Sequence, residues 1–200
     1  MEPEGRSRGI VVLAHGWGRN RDRMVARARR FGRWGFTCVI HSARDHGRSS
    51  PRRFMNAARM AEDLEAVLDW VGEPVLLYGH SAGAGAAILA AHRRPERVRL
   101  LFLEACYADT HEALLSLYRW FNPFFGRVFG PLIVFWMDLF YRNRLKDVSP
   151  GRLAPSIRVP VMIVHGADDR RFPLAFAREL AARFPADRVE LFVAAGARHS

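Results

Sequence analysis

The first residue whose chemistry stands out is a serine between two glycines, in the stretch Gly79-His80-Ser81-Ala82-Gly83. Hydrophobic residues precede this stretch and small residues follow it, a pattern typical of a buried strand that turns sharply into a helix. Such a turn exposes the serine hydroxyl, and side chains at positions 79 or 83 would crowd its backbone. The pattern predicts that Ser81 is a nucleophile; the alternative is a tight turn that happens to contain serine.

Residues that could activate this serine come later in the chain. Asp168 and Asp169 follow one predicted strand, and His199 follows the last one. A histidine could accept the serine proton and return it to a leaving group, while an acid would hold the imidazole in the required tautomer. The N–H of Ala82, at the start of the helix after the serine, could stabilise a negatively charged oxygen.

The elements that must position these residues form an alternating pattern in a chain of 200 residues. Six strands are predicted at 9–14, 36–40, 75–78, 98–103, 161–164 and 189–193. Helices are predicted at 20–34, from Ser50-Pro51 to Val71, at 81–93 and at 173–184. Apolar strands that alternate with helices indicate a single α/β domain with a parallel sheet covered on both faces. Such sheets bind ligands at the carboxyl ends of their strands, where the candidate residues lie.

The motifs together resemble those of the α/β-hydrolase superfamily, and within it serine esterases, lysophospholipase-like enzymes and serine aminopeptidase-like members. The resemblance covers nearly the whole chain and rests on GHSAG, HGWG upstream, ARDHGRSS between them, and HGADDRRFP and GARHS downstream. It implies the α/β-hydrolase fold, here in a minimal form that lacks the leading strands and the helix that normally follows the histidine loop. Asp45 stands where relatives commonly carry glycine.

The resemblance also implies roles for individual residues. In the family pattern HGxxD the acid is the fifth residue from the histidine, which gives a Ser81, Asp169 and His199 triad. Asp168 and Glu104 remain the alternatives for the acid. The second oxyanion donor beside Ala82 is the N–H of Trp17, directly after the first His-Gly pair. We expect neither a cofactor nor a metal ion, and we expect the remaining histidines, such as His15, His46 and His165, to shape loops.

The alternation stops in the segment of about 107–156, where this fold usually places a cap over its site. Its stretch 118–141, YRWFNPFFGRVFGPLIVFWMDLFY, is rich in aromatic residues, and Arg127, Arg142 and Arg144 flank its apolar part. One interpretation is a pair of helices packed on the core. The other is an apolar lid that handles acyl chains or contacts a membrane. An apolar lid favours acyl esters over peptides or sugars.

Charge and cysteine content narrow the class of protein. The formal net charge is +11, but the arginines that supply nearly all the positive charge are spread along the chain, which argues against nucleic-acid binding. Cys38 and Cys106 lie in apolar runs, both predicted as strands, so we expect buried thiols in a reducing compartment, the cytoplasm. The N-terminus lacks the apolar segment of a secretory signal, and the longest apolar run, 128–137, is about half a membrane span.

These inferences predict a serine hydrolase that cleaves carboxylic esters, with apolar acyl groups, through an acyl-enzyme at Ser81. The expected partner is a small-molecule ester, with peripheral membrane contact through 118–141. An acyltransferase with the same triad is the nearest alternative. A non-catalytic, lipid- or partner-binding protein with a hydrolase fold is the other.

Overall fold

The computed structural model describes residues 6–52, 56–140 and 145–199, and these residues form a six-stranded sheet. Its strand order is β2-β1-β3-β4-β5-β6, and every neighbouring pair is parallel. The strands are β1 (Ile10–Ala14), β2 (Thr37–Ile40), β3 (Val75–His80), β4 (Val98–Glu104), β5 (Val161–Gly166) and β6 (Val189–Ala194). The predicted parallel sheet is confirmed, and strands β3 and β5 each run two residues beyond their predicted ends.

Helices cover both faces of this sheet. They are α1 (Val25–Arg33), α2 (Ala57–Val71), α3 (Ala82–Arg93), α4 (Thr110–Phe121), α5 (Pro123–Val128), α6 (Gly130–Phe140), α7 (Pro150–Leu153) and α8 (Leu174–Arg183). Short 3₁₀ segments occupy Arg21–Met24, Pro95–Arg97 and Ala154–Ser156. On one face, Phe31 of α1 packs with Val11 and Leu13; on the other, the buried cluster includes Leu64 of α2 and Ile88 of α3. This layering explains why β1 is apolar without interruption.

Two sequence predictions are wrong in detail. Helix α2 begins at Ala57 rather than at Ser50-Pro51, because the Asn56 side chain accepts a hydrogen bond from the Arg59 N–H at 2.9 Å and caps the helix there. Cys106 lies beyond the end of β4, whereas Cys38 lies within β2 as predicted. Both are buried free thiols.

Between β4 and β5, helices α4, α5 and α6 pack on one another. Leu115 of α4 and Val134 of α6 form a small buried cluster with Leu145. The opposite sides of these helices are exposed and largely apolar; this surface, called the α5–α6 apolar surface below, comprises Trp120, Phe121, Phe124, Phe125, Val128, Phe129, Leu132, Phe135, Trp136, Leu139 and Phe140. Tyr141, Arg142 and Arg144, which the sequence analysis included, lie outside the described residues.

Candidate active site

Ser81 lies at the sharp turn between β3 and α3. Its backbone has φ 54° and ψ −119°, a conformation that costs a non-glycine residue about 1–3 kcal/mol. Hydrogen bonds on both sides hold it there: the Ser81 N–H donates to the Glu104 carbonyl at 2.9 Å, and the Ser81 carbonyl accepts from the Ala84 N–H at 2.9 Å. The strained turn is therefore maintained by the neighbouring strand and by the first turn of α3.

The two glycines beside Ser81 are required by close backbone contacts. A Cβ atom at Gly79 would lie 2.5 Å from Ala84 Cα, and one at Gly83 would lie 2.4 Å from the His15 carbonyl oxygen. Both obstacles are backbone atoms, which cannot move away without shifting α3 or the loop after β1. The crowding expected from the sequence is present at both positions.

His199 and Asp169 meet at the carboxyl end of the sheet. His199 Nδ1 lies 2.7 Å from Asp169 Oδ2, and since a carboxylate only accepts, the imidazole donates this hydrogen bond. The other carboxylate oxygen, Oδ1, accepts from the N–H groups of Arg171 and Phe172 at 2.8 and 2.9 Å. Burial raises the pKa of Asp169, but the hydrogen bonds from His199 and from the two backbone N–H groups outweigh that effect and lower it overall. The carboxyl group is thus held in its ionised form.

The two alternative acids lie in different surroundings. Asp168 is exposed, and its backbone N–H donates to the Ala197 carbonyl at 2.9 Å. The Glu104 carboxylate accepts hydrogen bonds from Arg27, at 2.5 Å from Nη2, and from the Tyr78 hydroxyl. The structure thus brings the carboxylate of Asp169, rather than that of Asp168, against His199.

The second imidazole nitrogen of His199 takes no part in the hydrogen bond to Asp169. His199 Nε2 is buried and makes no hydrogen bond to any of the described residues. The ring lies 5.3 Å from that of His80, the residue before Ser81, and 5.2 Å from that of Phe172. Phe172 and Ser81 line the same cavity, so the imidazole lies beside the turn that carries the serine.

The two candidate oxyanion donors also border this cavity. Trp17 follows β1 and Ala82 is the first residue of α3. Within the described ranges, neither N–H donates a hydrogen bond to the protein. The positive end of the α3 dipole adds to the attraction for a negative charge at Ala82. Both residues therefore lie at the cavity that Ser81 lines, as the sequence analysis expected of oxyanion donors.

The cavity beside Ser81 has a volume of about 310 Å³ and a mostly apolar lining. Its walls come from the inner sides of α4 and α6 and from the loop after β5, and include Leu114, Leu117, Tyr118, Met137, Leu145 and Phe172. The sequence analysis gave no role to Phe172, although it follows Asp169 by three residues in the motif HGADDRRFP. The cavity suits an apolar group attached to a polar bond near the serine.

Burial favours the uncharged form of three other histidines near the site. Burial lowers the pKa of His80 to about 4, against the opposing effect of Glu104. Burial also lowers the pKa of His15 and, together with His15 nearby, that of His41 to about 4. In residues 6–52, 56–140 and 145–199, no group of three or more His, Cys, Asp or Glu side chains is arranged to hold a metal ion.

Known proteins share this arrangement of elements. A monoacylglycerol lipase of Mycolicibacterium smegmatis is 25% identical in an alignment covering 98% of this chain and 83% of the relative. A bifunctional esterase/perhydrolase of Acinetobacter calcoaceticus is also 25% identical, over 82% of this chain and 75% of its own length. The crystal structure of a monoacylglycerol lipase from Paleococcus ferrophilus superposes with a TM-score of 0.76 at 19% identity, covering 100% of this chain and 89% of the other.

A family model extends the comparison to the sequence pattern itself. The model described as serine aminopeptidase, S33, matches residues 5–152, which include the turn at Ser81 and helices α1 to α6. The match covers well over half of the chain, and the fold agrees with it. The chain belongs to the serine aminopeptidase S33 family of α/β-hydrolases.

Proposed function

We propose that this protein hydrolyses carboxylic esters through an acyl-enzyme formed at Ser81. The observation that carries the proposal is that Ser81 lines an apolar cavity and that the hydrogen-bonded His199–Asp169 pair lies beside it, with the His199 ring 5.2 Å from that of Phe172 in the cavity wall. The relatives named monoacylglycerol lipase and esterase/perhydrolase support the same reaction class. No step of this reaction requires a cofactor, because the nucleophile, the base and the oxyanion donors are all groups of the chain.

The proposed reaction has two halves. His199 Nε2 accepts the Ser81 proton while Oγ attacks the ester carbonyl carbon, and the N–H groups of Trp17 and Ala82 bind the resulting oxyanion. The imidazolium, stabilised by Asp169, then gives its proton to the leaving alkoxide as the carbon–oxygen bond breaks. Water repeats these steps on the acyl-enzyme, releasing the acid and restoring the Ser81 hydroxyl.

The cavity supports an apolar acyl group as the preferred part of the substrate. Its volume of about 310 Å³ lies at the lower end of the range for small-molecule sites, roughly 300–1,000 Å³, which suits one acyl chain. We also propose that α4 to α6 form a cap, an insertion within one domain of residues 1–200, because their inner sides supply much of the lining. Leu114 and Leu117 of α4 and Met137 of α6 are examples.

A panel of p-nitrophenyl esters tests this proposal. We expect kcat/KM for the octanoate to exceed that for the acetate by at least about tenfold, since each buried methylene contributes about 0.8 kcal/mol. Ser81→Ala serves as the blank for non-enzymatic hydrolysis. Faster release of p-nitroaniline from amino-acid anilides than of p-nitrophenol from any ester would contradict the proposal and indicate a peptidase. Ester products formed with an added alcohol, in place of free acid, would indicate an acyltransferase.

We further propose that the α5–α6 apolar surface contacts an anionic lipid membrane. Phe121 and Phe124 are 82% and 75% exposed and belong to a surface made largely of exposed apolar side chains, which is typical of an interaction site. Arg119 and Arg127 are exposed in the same segment, where Asp138 is the only acidic residue between positions 118 and 140. Arginines beside exposed aromatic rings suit the headgroup region of a membrane with negative lipids.

The position of this surface also fits delivery of an apolar substrate. The same helices, α4 and α6, line the cavity with their inner sides, so a lipid surface on their outer sides would lie close to the acyl site. Within the ranges described, no helix is both long enough and apolar enough to cross a bilayer. The buried free thiols of Cys38 and Cys106 support a reducing compartment, and hence the cytoplasmic side of the membrane.

Vesicle co-sedimentation tests the membrane proposal. We expect binding to phosphatidylcholine vesicles that contain phosphatidylglycerol, and at least about tenfold weaker binding of the Phe121→Ser/Phe124→Ser double variant, which removes two buried rings from the contact. Trp70→Ser is the matched control, because Trp70 of α2 is 76% exposed outside this surface. Unchanged binding of the double variant would contradict the proposal. A dimer in solution that the double variant dissolves would also contradict it, since the surface would then join two copies.

A further inference from the structure

The loop after β1 is held by two histidines from separate parts of the chain. His15 Nδ1 lies 2.8 Å from the Gly16 carbonyl oxygen, and the Gly18 N–H donates to His46 Nε2 at 3.1 Å. These two bonds engage the peptide groups on either side of Trp17, the residue whose N–H the proposed mechanism uses.

The hydrogen bonds fix the protonation state of both rings. Because a carbonyl oxygen only accepts, His15 carries its proton on Nδ1, and its Nε2 accepts from the Ala43 N–H at 3.0 Å. His46 has the same tautomer: Nδ1 donates to the Arg44 carbonyl at 2.8 Å, which leaves Nε2 to accept from Gly18. Each ring therefore joins the loop after β1 to the loop after β2.

Peptide planarity turns these bonds into a constraint on Trp17. In a trans peptide the C=O and N–H groups point in opposite directions, so fixing the Gly16 carbonyl also fixes the Trp17 N–H. The Gly16 carbonyl accepts a second bond, from the Arg19 N–H at 3.3 Å, which adds to the hold. Hydrogen bonding to the carbonyl also polarises the same peptide and makes its N–H a stronger donor.

The surroundings of His46 keep it in place. The side chain is buried, its ring lies 5.0 Å from that of His15, and the Trp17 ring meets it edge-on at 5.6 Å. The residues beside it, Asp45 and Gly47, have φ angles of 60° and 59°, in the left-handed region that glycine favours. Asp45 therefore adopts a backbone conformation that glycine adopts more readily than other residues.

We propose that His15 and His46 are positioning residues that aim the Trp17 N–H at the oxyanion of the reaction. The proposal rests on the proposed function, because it assigns a role to the same oxyanion site. Neither imidazole touches the reacting atoms; each acts through one of the two peptide groups of Trp17. Loss of these hydrogen bonds should weaken binding of the oxyanion and leave binding of the ester itself nearly unchanged.

A matched set of variants separates this role from packing. His46→Phe keeps a flat ring against Trp17 but has no acceptor for Gly18, whereas His46→Gln keeps an acceptor and a donor. His92→Phe is the control, since His92 is exposed and lies in the last turn of α3. We expect His46→Phe to lower kcat about 10- to 100-fold with KM changed less than about threefold, and His46→Gln to recover most of the activity.

Two further measurements make the result decisive. Affinity for an alkyl trifluoromethyl ketone, which forms an oxyanion adduct with the serine, should fall in His46→Phe by the same factor as kcat. Amide hydrogen exchange should show faster exchange at Gly18 in His46→Phe than in the wild type. Unchanged kcat and ketone affinity in His46→Phe would overturn the positioning role of His46. Equal losses of kcat in His46→Phe and His46→Gln would overturn it as well. A wild type that neither hydrolyses esters nor binds the ketone would instead overturn the proposed function, and the Gly18 exchange would still test the hydrogen bond itself.

Discussion

Ser81→Ala is expected to lower kcat for ester hydrolysis by at least about 10⁴-fold. The reason is that the acyl-enzyme forms on Oγ, and no other group at the turn can replace that nucleophile. Folding should survive, because the strained backbone at Ser81 is held by backbone hydrogen bonds to Glu104 and Ala84 that alanine retains. Thermal unfolding of the variant within a few degrees of the wild type would establish this point.

A fluorophosphonate probe, with the labelled residue located by mass spectrometry, makes the test direct. The wild type should be labelled at Ser81, and both Ser81→Ala and His199→Ala should lose the label, since the hydroxyl needs the imidazole to become nucleophilic. Ser7→Ala, at an exposed serine near the start of the chain, should label like the wild type. Labelling at another serine, or none in a folded wild type, would rule out Ser81 as the nucleophile and favour the non-catalytic binding protein.

The turn and the existence of the strands were predictable because local rules decide them. At Gly79 and Gly83 backbone atoms of neighbouring segments come too close for any Cβ atom. Only glycine fits there, so the residue types themselves indicate the turn. The strands could also be predicted from the sequence, because a strand buried on both faces is a nearly continuous run of apolar residues. The carboxyl ends of parallel strands meet at one edge, so finding the strands also brought Ser81, the candidate acids and His199 together, while the choice of Asp169 came from the family resemblance.

Other features depend on contacts that residue types do not record. The start of α2 could not be read from Pro51, because Asn56 competes as the helix cap and prevails. The segment 118–140 is apolar on nearly all sides, so its periodicity does not say which side lines the cavity and which is exposed. The hydrogen bonds of His15 and His46 to the peptide groups on either side of Trp17 connect the loops after two strands. Only the folded chain shows which imidazole nitrogen contacts which peptide group.

The choice of acid leads to the second large effect. Asp169→Asn should lower kcat about 10⁴-fold, as the equivalent change does in a serine protease triad, because an amide facing His199 Nδ1 favours the wrong tautomer. KM should change little, since Asp169 is buried and does not line the cavity. The matched control is Asp168→Asn, which removes the same charge one position earlier. Because the Asp168 side chain is exposed, kcat of this variant should stay within about twofold of the wild type.

Glu104→Gln completes the comparison, because Glu104 is the other acid at a strand end. Its carboxylate pairs with Arg27 and accepts from Tyr78, so the substitution weakens a partly buried ion pair and should lower the midpoint of thermal unfolding. Catalysis should fall far less than in Asp169→Asn, because Glu104 reaches the serine through its backbone carbonyl, which the variant keeps. If Glu104→Gln and Asp169→Asn exchanged these outcomes, His199 would be oriented by Glu104 during turnover. The hydrogen bond between Asp169 and His199 would then belong to a resting arrangement of the loop after β5.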